Sequence, residues 1–434
     1  MSLPMAESES ATQVEVRRGP LADLRVLELG TLIAGPFAGR WLADFGADVI
    51  KVEHPLRGDP LREWGEDGDH AGSLWHLVQS RGKRSVTADL HDPDDQAFVR
   101  ALANECDIMI ENFRPGRLEA WGLDPAELMR ANPRLIVVRI SGYGQSGPLA
   151  DQPGFGTIAE AAGGLRYVTG EPDRTPARVG LSLGDSIASL HAVIGAMIAL
   201  HERQDSGRGQ VVDVALSEAV FSMIEGILPE FSYLGAVRER TGNIAHNSAP
   251  TNAYPCADGA MVCIAANTDR LFRTLTRLID RSDLADDPGL RTNKGRVERA
   301  AELDAAIADW TTGRTSKEIV ELLRRHRVPV SRINSIADIV ADPQFRARDM
   351  IVPIADKRLE RPLLVPGITP KLSRTPGRVP DLARPLGADD GPVRARLGMA
   401  RDAPAVSDSS TSEAPALSSS GRGGRSPEPP PSNP

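Results

Sequence analysis

The stretch LRVLELGTLIAGPFAGRWLADFGADVIKVE, residues 24–53, decides the fold. It opens with an apolar run, Leu24 to Leu29, that predicts a short buried strand. Pro36 favours the first position of a helix running to about Phe45, because proline lacks an N–H that a helix start leaves unpaired in any case. Residues 48–53 then predict a second strand. Strand, helix and strand in this order predict a βαβ unit with two parallel strands.

The same alternation of strand and helix patterns continues towards the middle of the chain. β-rich runs occupy Cys106–Ile110, Leu135–Ile140 and Val211–Val214, and apolar residues at helical spacing predict a long helix at about Ser186–Arg203. Strands that alternate with helices form parallel sheets covered on both faces. We therefore predict a Rossmann-like, doubly wound α/β domain over residues 20–227.

The pattern changes after Pro250, which indicates a second domain. Two short strands meet at a turn between residues 254 and 265. Helical patterns follow at 269–280, 298–311 and 315–326. We expect a smaller α+β domain over residues 228–340, with residues 341–401 returning to the large domain.

The composition is that of an ordinary globular protein, with 434 residues, 41% of them hydrophobic, and a net charge of −8. The acidic balance disfavours nucleic-acid binding, and no apolar run approaches the ~20 residues of a membrane span. The polar N-terminus is unlike a secretory signal, and the three cysteines lack disulfide or metal spacing. We expect a cytoplasmic enzyme with no metal, nucleic-acid or membrane partner. Residues 1–19 and 402–434 are too poor in large apolar side chains to offset the entropy of ordering, so we expect them to be disordered.

Several common catalytic motifs are absent from the sequence. There is no G-x-G-x-x-G fingerprint, P-loop, G-x-S-x-G elbow or H-E-x-x-H pair. Gly30 and Gly35 after the first strand favour a tight turn or close packing. The basic stretch 81–85 has two open interpretations, a solvated charge run or, with Arg57, Arg62, Arg114 and Arg117, a site for a phosphorylated cofactor.

Asp185 precedes the predicted long helix and follows Gly184. One interpretation is a helix N-cap, since aspartate accepts the free N–H groups there. The other is a nucleophile, kept ionised by those N–H groups and approached closely by a substrate over the glycine. His246, in the polar loop 241–250, is either a surface histidine or part of a cover over a site.

Seven segments in a fixed order carry a resemblance to a known family. They are residues 27–36, 45–53, 82–85, 111–116, 141–148, 184–185 and 207–214. Together they resemble the class III CoA-transferases, the family that includes formyl-CoA transferase, carnitine CoA-transferase and α-methylacyl-CoA racemase. The resemblance covers about residues 20–380 and implies an acyl-CoA:carboxylate CoA-transferase that is an interlocked homodimer.

The resemblance also implies the roles of particular residues. Asp185 would attack the acyl-CoA thioester and carry acyl and CoA groups in turn through anhydride and thioester intermediates. Coenzyme A enters as a thioester substrate, with no tightly bound cofactor. Its implied contacts are Leu32, Ile33, Ala34, His54, Asp89, Leu90, His91, Asn112, Phe113 and Arg114. The family has a CoA-contacting arginine where this chain has Ala120, and Arg114 or Arg117 is a candidate replacement.

Two departures from the family narrow the reaction. The racemase branch needs a histidine near Gln152 and Pro153 as its second base, and none occurs there, so a racemase or isomerase is the alternative that we disfavour. The glycine run of the formyl-CoA branch is replaced by residues 243–250. This segment is more similar to that of the branch using succinyl-CoA and dicarboxylic acids.

Overall fold

A computed structural model describes residues 19–65 and 72–400. The predicted disordered ends, residues 1–19 and 402–434, lie outside the described residues except for Gly19. The strands are β1 (Arg25–Glu28), β2 (Asp48–Glu53), β3 (Lys83–Thr87), β4 (Ile108–Glu111), β5 (Ile136–Ser141), β6 (Val211–Ala215), β7 (Thr251–Pro255), β8 (Met261–Ala265), β9 (Val330–Arg332), β10 (Ile351–Ile354) and β11 (Leu363–Pro366).

The α-helices are α1 (Ala34–Asp44), α2 (Leu74–Gln79), α3 (Pro93–Glu105), α4 (Arg117–Ala120), α5 (Pro125–Ala131), α6 (Gly156–Ala162), α7 (Leu183–Ser206), α8 (Leu216–Phe221), α9 (Ile227–Leu234), α10 (Asp269–Leu278), α11 (Ser282–Asp286), α12 (Asn293–Glu298), α13 (Ala300–Thr312), α14 (Ser316–Arg325), α15 (Ile336–Ala341), α16 (Pro343–Ala347) and α17 (Asp390–Arg396). Short 3-10 helices lie at Pro60–Glu63 and Pro288–Leu290.

Six parallel strands form the main sheet in the order β3-β2-β1-β4-β5-β6. This order is that of a doubly wound sheet, so the predicted Rossmann-like α/β fold is confirmed. The sequence order of the strands reverses between β1 and β4. Ligands of such sheets bind at this point, beyond the carboxyl ends of the strands. In this chain those ends lead into the turn after Glu28 and the turn after Glu111.

A second group of elements follows the main sheet in the chain. Strands β7, β8 and β9 form an antiparallel sheet whose apolar side chains pack with those of α10, α13 and α14. Beyond it the chain returns to the main sheet, where Asp389 accepts a hydrogen bond from Ser85 N at 2.9 Å and Val393 is buried in the same cluster as Phe98. The boundaries of the two domains stay a prediction.

Helix α7 begins earlier and ends later than predicted. Its most apolar 18-residue stretch has a mean hydropathy of 1.6, so α7 is long and apolar enough to cross a membrane by length and composition alone. By this measure the expectation that no apolar run approaches a span does not hold for α7. One face carries small side chains buried in the core beside β5, namely those of Ala188, Ala192, Ala196 and Ala199. Leu190, Ile194 and Ile198 are exposed.

In the basic stretch 81–85, Arg81 and Lys83 are buried and have neither of the two predicted roles, whereas Arg84 is exposed, as in the predicted solvated charge run. Lys83–Thr87 forms the edge strand β3, and Arg81 is fully buried in a two-bond ion pair with Asp44, at 2.8 and 2.6 Å. Arg62 pairs in the same bidentate way with Glu53. Both guanidinium groups are engaged by internal carboxylates, and replacing either arginine would leave a buried carboxylate without its partner.

A buried charge cluster lies beneath the turn after β1. Lys51 Nζ is 2.9 Å from Glu28 Oε1 and 2.8 Å from Asp59 Oδ2, and Lys83 Nζ is 2.7 Å from Glu28 Oε2. Burial opposes ionisation of Lys51, but Glu28 and Asp59 together raise its pKa. Burial likewise opposes ionisation of Asp59, and Lys51 nevertheless lowers the pKa of Asp59 to about 2. Lys51 is therefore the cation that holds two internal carboxylates together.

We expect Lys51→Met to lower the free energy of unfolding by about 3–5 kcal/mol, because it leaves Glu28 and Asp59 buried without their shared cation. Arg84→Met is the matched control, since Arg84 pairs with Asp48 at the surface and its loss is expected to cost less than about 1 kcal/mol. Urea unfolding followed by circular dichroism measures both changes. Equal losses in the two variants would contradict the role given to Lys51.

Candidate functional site

The turn after β1 is fixed by side chains from three other segments. Leu32 has a positive φ of 63°, and its N–H donates to the carboxylate of Asp59 at 3.0 and 3.2 Å. Asn112, just beyond β4, accepts from Thr31 N at 2.8 Å and donates to Thr31 O at 2.9 Å. Because Lys51 also holds Asp59, this turn is tied to the buried charge cluster. The backbone of Thr31 and Leu32 is thus set rigidly at the switch point of the sheet.

Asp185 lies in the first turn of α7, which begins at Leu183 after Ser182. The predicted N-cap position is therefore wrong, since Asp185 is the third residue of the helix. Ser189 Oγ is 2.7 Å from both Ala34 O and Asp185 O. This hydroxyl group joins the helix that carries Asp185 to the start of α1, next to the fixed turn.

Two glycines allow α6 and α7 to approach closely at Asp185. A Cβ atom on Gly156 would lie 2.0 Å from Asp185 Oδ2, and one on Gly184 would lie 2.8 Å from Gly156 O. The expectation that Gly184 admits a substrate to the backbone is wrong, because the space beside Gly184 is filled by α6. Both glycines serve to seat the Asp185 carboxylate against α6.

The surroundings of Asp185 disfavour its charge rather than favour it. Burial, followed by the charge of Glu160, raises the pKa of Asp185 to about 6. Glu160 is buried on α6, where its Oε1 accepts from Gly184 N at 3.1 Å and its Oε2 is 3.7 Å from Arg166 Nε. The expectation that helix N–H groups hold Asp185 strongly ionised is therefore wrong in direction.

Asp185 lines a cavity of about 410 Å³ at the switch point. The residues predicted to contact coenzyme A that line it are Leu32, Ile33, Ala34, Asn112, Phe113 and Arg114. Other lining residues that the sequence analysis missed include Trp64, Thr157, Arg178 and Ser182. No motif marks these residues, because they come from separate segments, Thr157 from α6 and the others from loops, that only tertiary packing brings together.

A second cavity of about 140 Å³ adjoins the first, and Thr31 and Phe113 line both. The remaining predicted contacts, His54, Asp89, Leu90 and His91, line this second cavity. Trp121 forms part of its wall, and the ring of Trp121 packs edge-on against Phe113 and His91, with centroids 5.0 and 5.3 Å apart. The structure thus groups the predicted contacts in two adjacent cavities. Arg117 lines neither.

The loop 241–250 does not line the Asp185 cavity in the single chain. Thr241 and His246 instead line another cavity of about 280 Å³, together with Met223 and Arg238. Across residues 19–65 and 72–400, no group of three or more His, Cys, Asp or Glu side chains is placed to hold a metal ion.

Comparisons with known proteins identify the family of this chain. The profile of CoA-transferase family III matches residues 21–390. The chain is 48% identical over 360 residues to the succinyl-CoA–D-citramalate CoA-transferase of Chloroflexus aurantiacus, covering 83% of this chain and 89% of that one. It is 40% identical over 370 residues to the succinyl-CoA–L-malate CoA-transferase beta subunit of the same organism, covering 85% and 91%.

A solved structure has the same fold. The crystal structure of a CAIB/BAIF family protein from Brucella suis superposes with a TM-score of 0.79 at 34% identity, covering 88% of this chain and 100% of that one. The family match spans most of the chain, and both curated relatives transfer CoA from succinyl-CoA by name. The chain therefore belongs to CoA-transferase family III and is an enzyme that transfers coenzyme A between carboxylic acids.

Proposed function

We propose that this enzyme transfers coenzyme A from succinyl-CoA to a small dicarboxylic acid, with Asp185 as the nucleophile. The observation that carries the proposal is the half-buried Asp185 carboxylate in a cavity that continues into a second one through Thr31 and Phe113. The names of the D-citramalate and L-malate transferases support the class of acid.

The two ends of coenzyme A differ in chemistry, and each is assigned to the cavity whose side chains suit it. The adenine end suits the smaller cavity, where His54, His91 and Trp121 offer ring surfaces. The pantetheine arm then passes Thr31 and Phe113 and delivers the thioester to Asp185. Arg114, exposed beside Phe113, is a candidate for a phosphate contact.

The reaction begins when a carboxylate oxygen of Asp185 attacks the thioester carbonyl. The C–S bond breaks, and a mixed anhydride and the CoA thiolate form. The thiolate attacks the aspartyl carbonyl of the anhydride, which releases the donor acid as a carboxylate. An aspartyl-CoA thioester remains on Asp185, so the energy of the thioester is conserved.

The second half repeats these steps in reverse order. The acceptor carboxylate attacks the aspartyl thioester, forms a new anhydride and expels the CoA thiolate. The thiolate captures the acceptor acyl group, and Asp185 leaves as a carboxylate. No proton is gained or lost overall. Water must be kept from both activated intermediates, which favours the enclosed setting between α6 and α7.

We further propose that the enzyme is a homodimer whose second copy covers apolar surface left open in one chain. Helix α9 (Ile227–Leu234) has no buried residue, although Phe231 and Leu234 lie on it. The exposed Ile194 and Ile198 on α7 add to this apolar surface. Exposed apolar area of this kind is typical of a subunit interface.

Asp185→Ala is expected to fold and to bind acyl-CoA but to lose at least about 1,000-fold in CoA transfer, because no other carboxylate lines the cavity among the described residues. Asp173→Ala is the control, since Asp173 is exposed outside the cavity. With succinyl-CoA and hydroxylamine, mass spectrometry should find a hydroxamate on Asp185 of the unaltered enzyme. Full turnover by Asp185→Ala would refute the assignment.

Glu160→Gln is expected to shift the pH dependence of transfer to lower pH. Only ionised Asp185 attacks, so kcat/KM should rise with pH through about 6 in the unaltered enzyme. Removing the Glu160 charge lowers the pKa of Asp185, while the amide oxygen of glutamine still accepts from Gly184 N. Substrate titration is common to both proteins and cancels in the comparison. If the rise of kcat/KM with pH occurs at the same pH in both proteins, the coupling of Glu160 to Asp185 is contradicted.

Light scattering after gel filtration is expected to give twice the chain mass of 46.6 kDa. The double change Phe231→Glu and Leu234→Glu should shift the protein towards monomer, because it places charge in the proposed interface. Leu364→Glu on β11 adds charge to an exposed apolar residue elsewhere and should leave the mass unchanged. A monomeric unaltered protein would rule out the dimer.

A further inference from the structure

The cavity around Asp185 contains more positive charge than the residues of the predicted site account for. Among the described residues that line it, Asp185 is the only carboxylate, whereas Arg114 and Arg178 supply two guanidinium groups. Neither guanidinium makes a hydrogen bond or an ion pair with another described residue. The cavity therefore offers cationic donors that are free to bind an anion.

The two arginines differ in their place along the cavity. Arg114 follows Phe113, which lines both cavities, so it lies next to the passage assigned to the pantetheine arm. Arg178 comes from the loop that enters α7, and Ser182 of the same loop lines the cavity too. Arg178 thus lines the same cavity as the proposed nucleophile Asp185 and does not line the second cavity.

We infer that Arg178 binds the distal carboxylate of the dicarboxylic acid whose other carboxyl group reacts at Asp185. This inference rests on the proposed function and names a residue that sets its acid specificity. A guanidinium presents paired N–H groups that match the two oxygens of a carboxylate. An acid that ends in a methyl group instead of a distal carboxylate would leave those N–H donors without an acceptor.

One guanidinium can serve both acids of the reaction. The donor acyl group and the acceptor acyl group each form an anhydride with the carboxyl group of the same side chain, Asp185, so their distal ends reach the same region. Arg178 would therefore favour succinyl-CoA as donor and a dicarboxylate as acceptor. Because Arg178 is exposed in the single chain, solvent screening limits the effect to a moderate factor.

The test compares succinyl-CoA with butyryl-CoA, which differ only in a distal carboxylate or methyl group. The donor reacts with Asp185 before an acceptor is needed, so kcat/KM for the thioester reports the first half of the reaction. In Arg178→Leu we expect kcat/KM to fall about 10- to 100-fold for succinyl-CoA and to change less than about 3-fold for butyryl-CoA. For Arg178→Lys we expect a kcat/KM for succinyl-CoA between those of the unaltered enzyme and Arg178→Leu, since lysine keeps the charge without the paired donors.

The matched control is Arg174→Leu. Arg174 lies on the same exposed loop but does not line the cavity, so the variant removes one positive charge nearby. It should keep the preference of the unaltered enzyme for succinyl-CoA over butyryl-CoA. Circular dichroism confirms that the variants fold. An equal fall for both thioesters, or no fall for either, would overturn the role of Arg178 while CoA transfer itself stands. Absence of transfer from any thioester in the unaltered enzyme would overturn the proposed function and this inference together.

Discussion

The ion pairs of Lys51 are the constraint on which the site depends. This buried ammonium group joins Glu28 of β1 to Asp59, and Asp59 in turn holds the N–H of Leu32 in its positive-φ conformation. A buried cation with two carboxylates stabilises only when every partner is present. The backbone of the turn, which lines the Asp185 cavity, is therefore fixed from beneath by the core of the sheet.

The proposed nucleophile, Asp185, is positioned in a different way, by the close packing of two helices. Gly156 and Gly184 let α6 and α7 approach until the Asp185 carboxylate has no room to move towards α6. The same approach brings Glu160 near, and burial with this second carboxylate raises the pKa of Asp185 to about 6. A carboxylate with a raised pKa is a better nucleophile than an ordinary aspartate, and it remains able to leave from an anhydride. Both properties suit a group that attacks the donor thioester in the first half of the proposed reaction and leaves from the acceptor anhydride in the second.

Sequence patterns predicted the alternating elements of the main sheet well. Residues 48–53 have the predicted bounds, because a buried strand is marked by local residues. Strand β3 was missed, since its Lys83 and Arg84 resemble a surface charge run and the carboxylates that pair with them lie far away in the sequence. The first turn of α7 was missed for a related reason, because the glycine that seems to end a loop, Gly184, is needed for packing against α6.

The sequence by itself determined the fold class and the family and singled out Asp185 as the candidate nucleophile, because strand and helix periodicity and ordered motifs are local properties of the chain. Tertiary structure alone decided which residues share a cavity with Asp185, whether a basic residue is buried in an ion pair or free, and in which direction the pKa of Asp185 shifts. Arg81 and Arg178 look alike in the sequence, yet one is fully buried against Asp44 and the other lines the cavity with no ion-pair partner in the part of the chain that the structure describes. The physical reason is that burial and electrostatic energy depend on distances in space, and these are set by segments far apart in the chain.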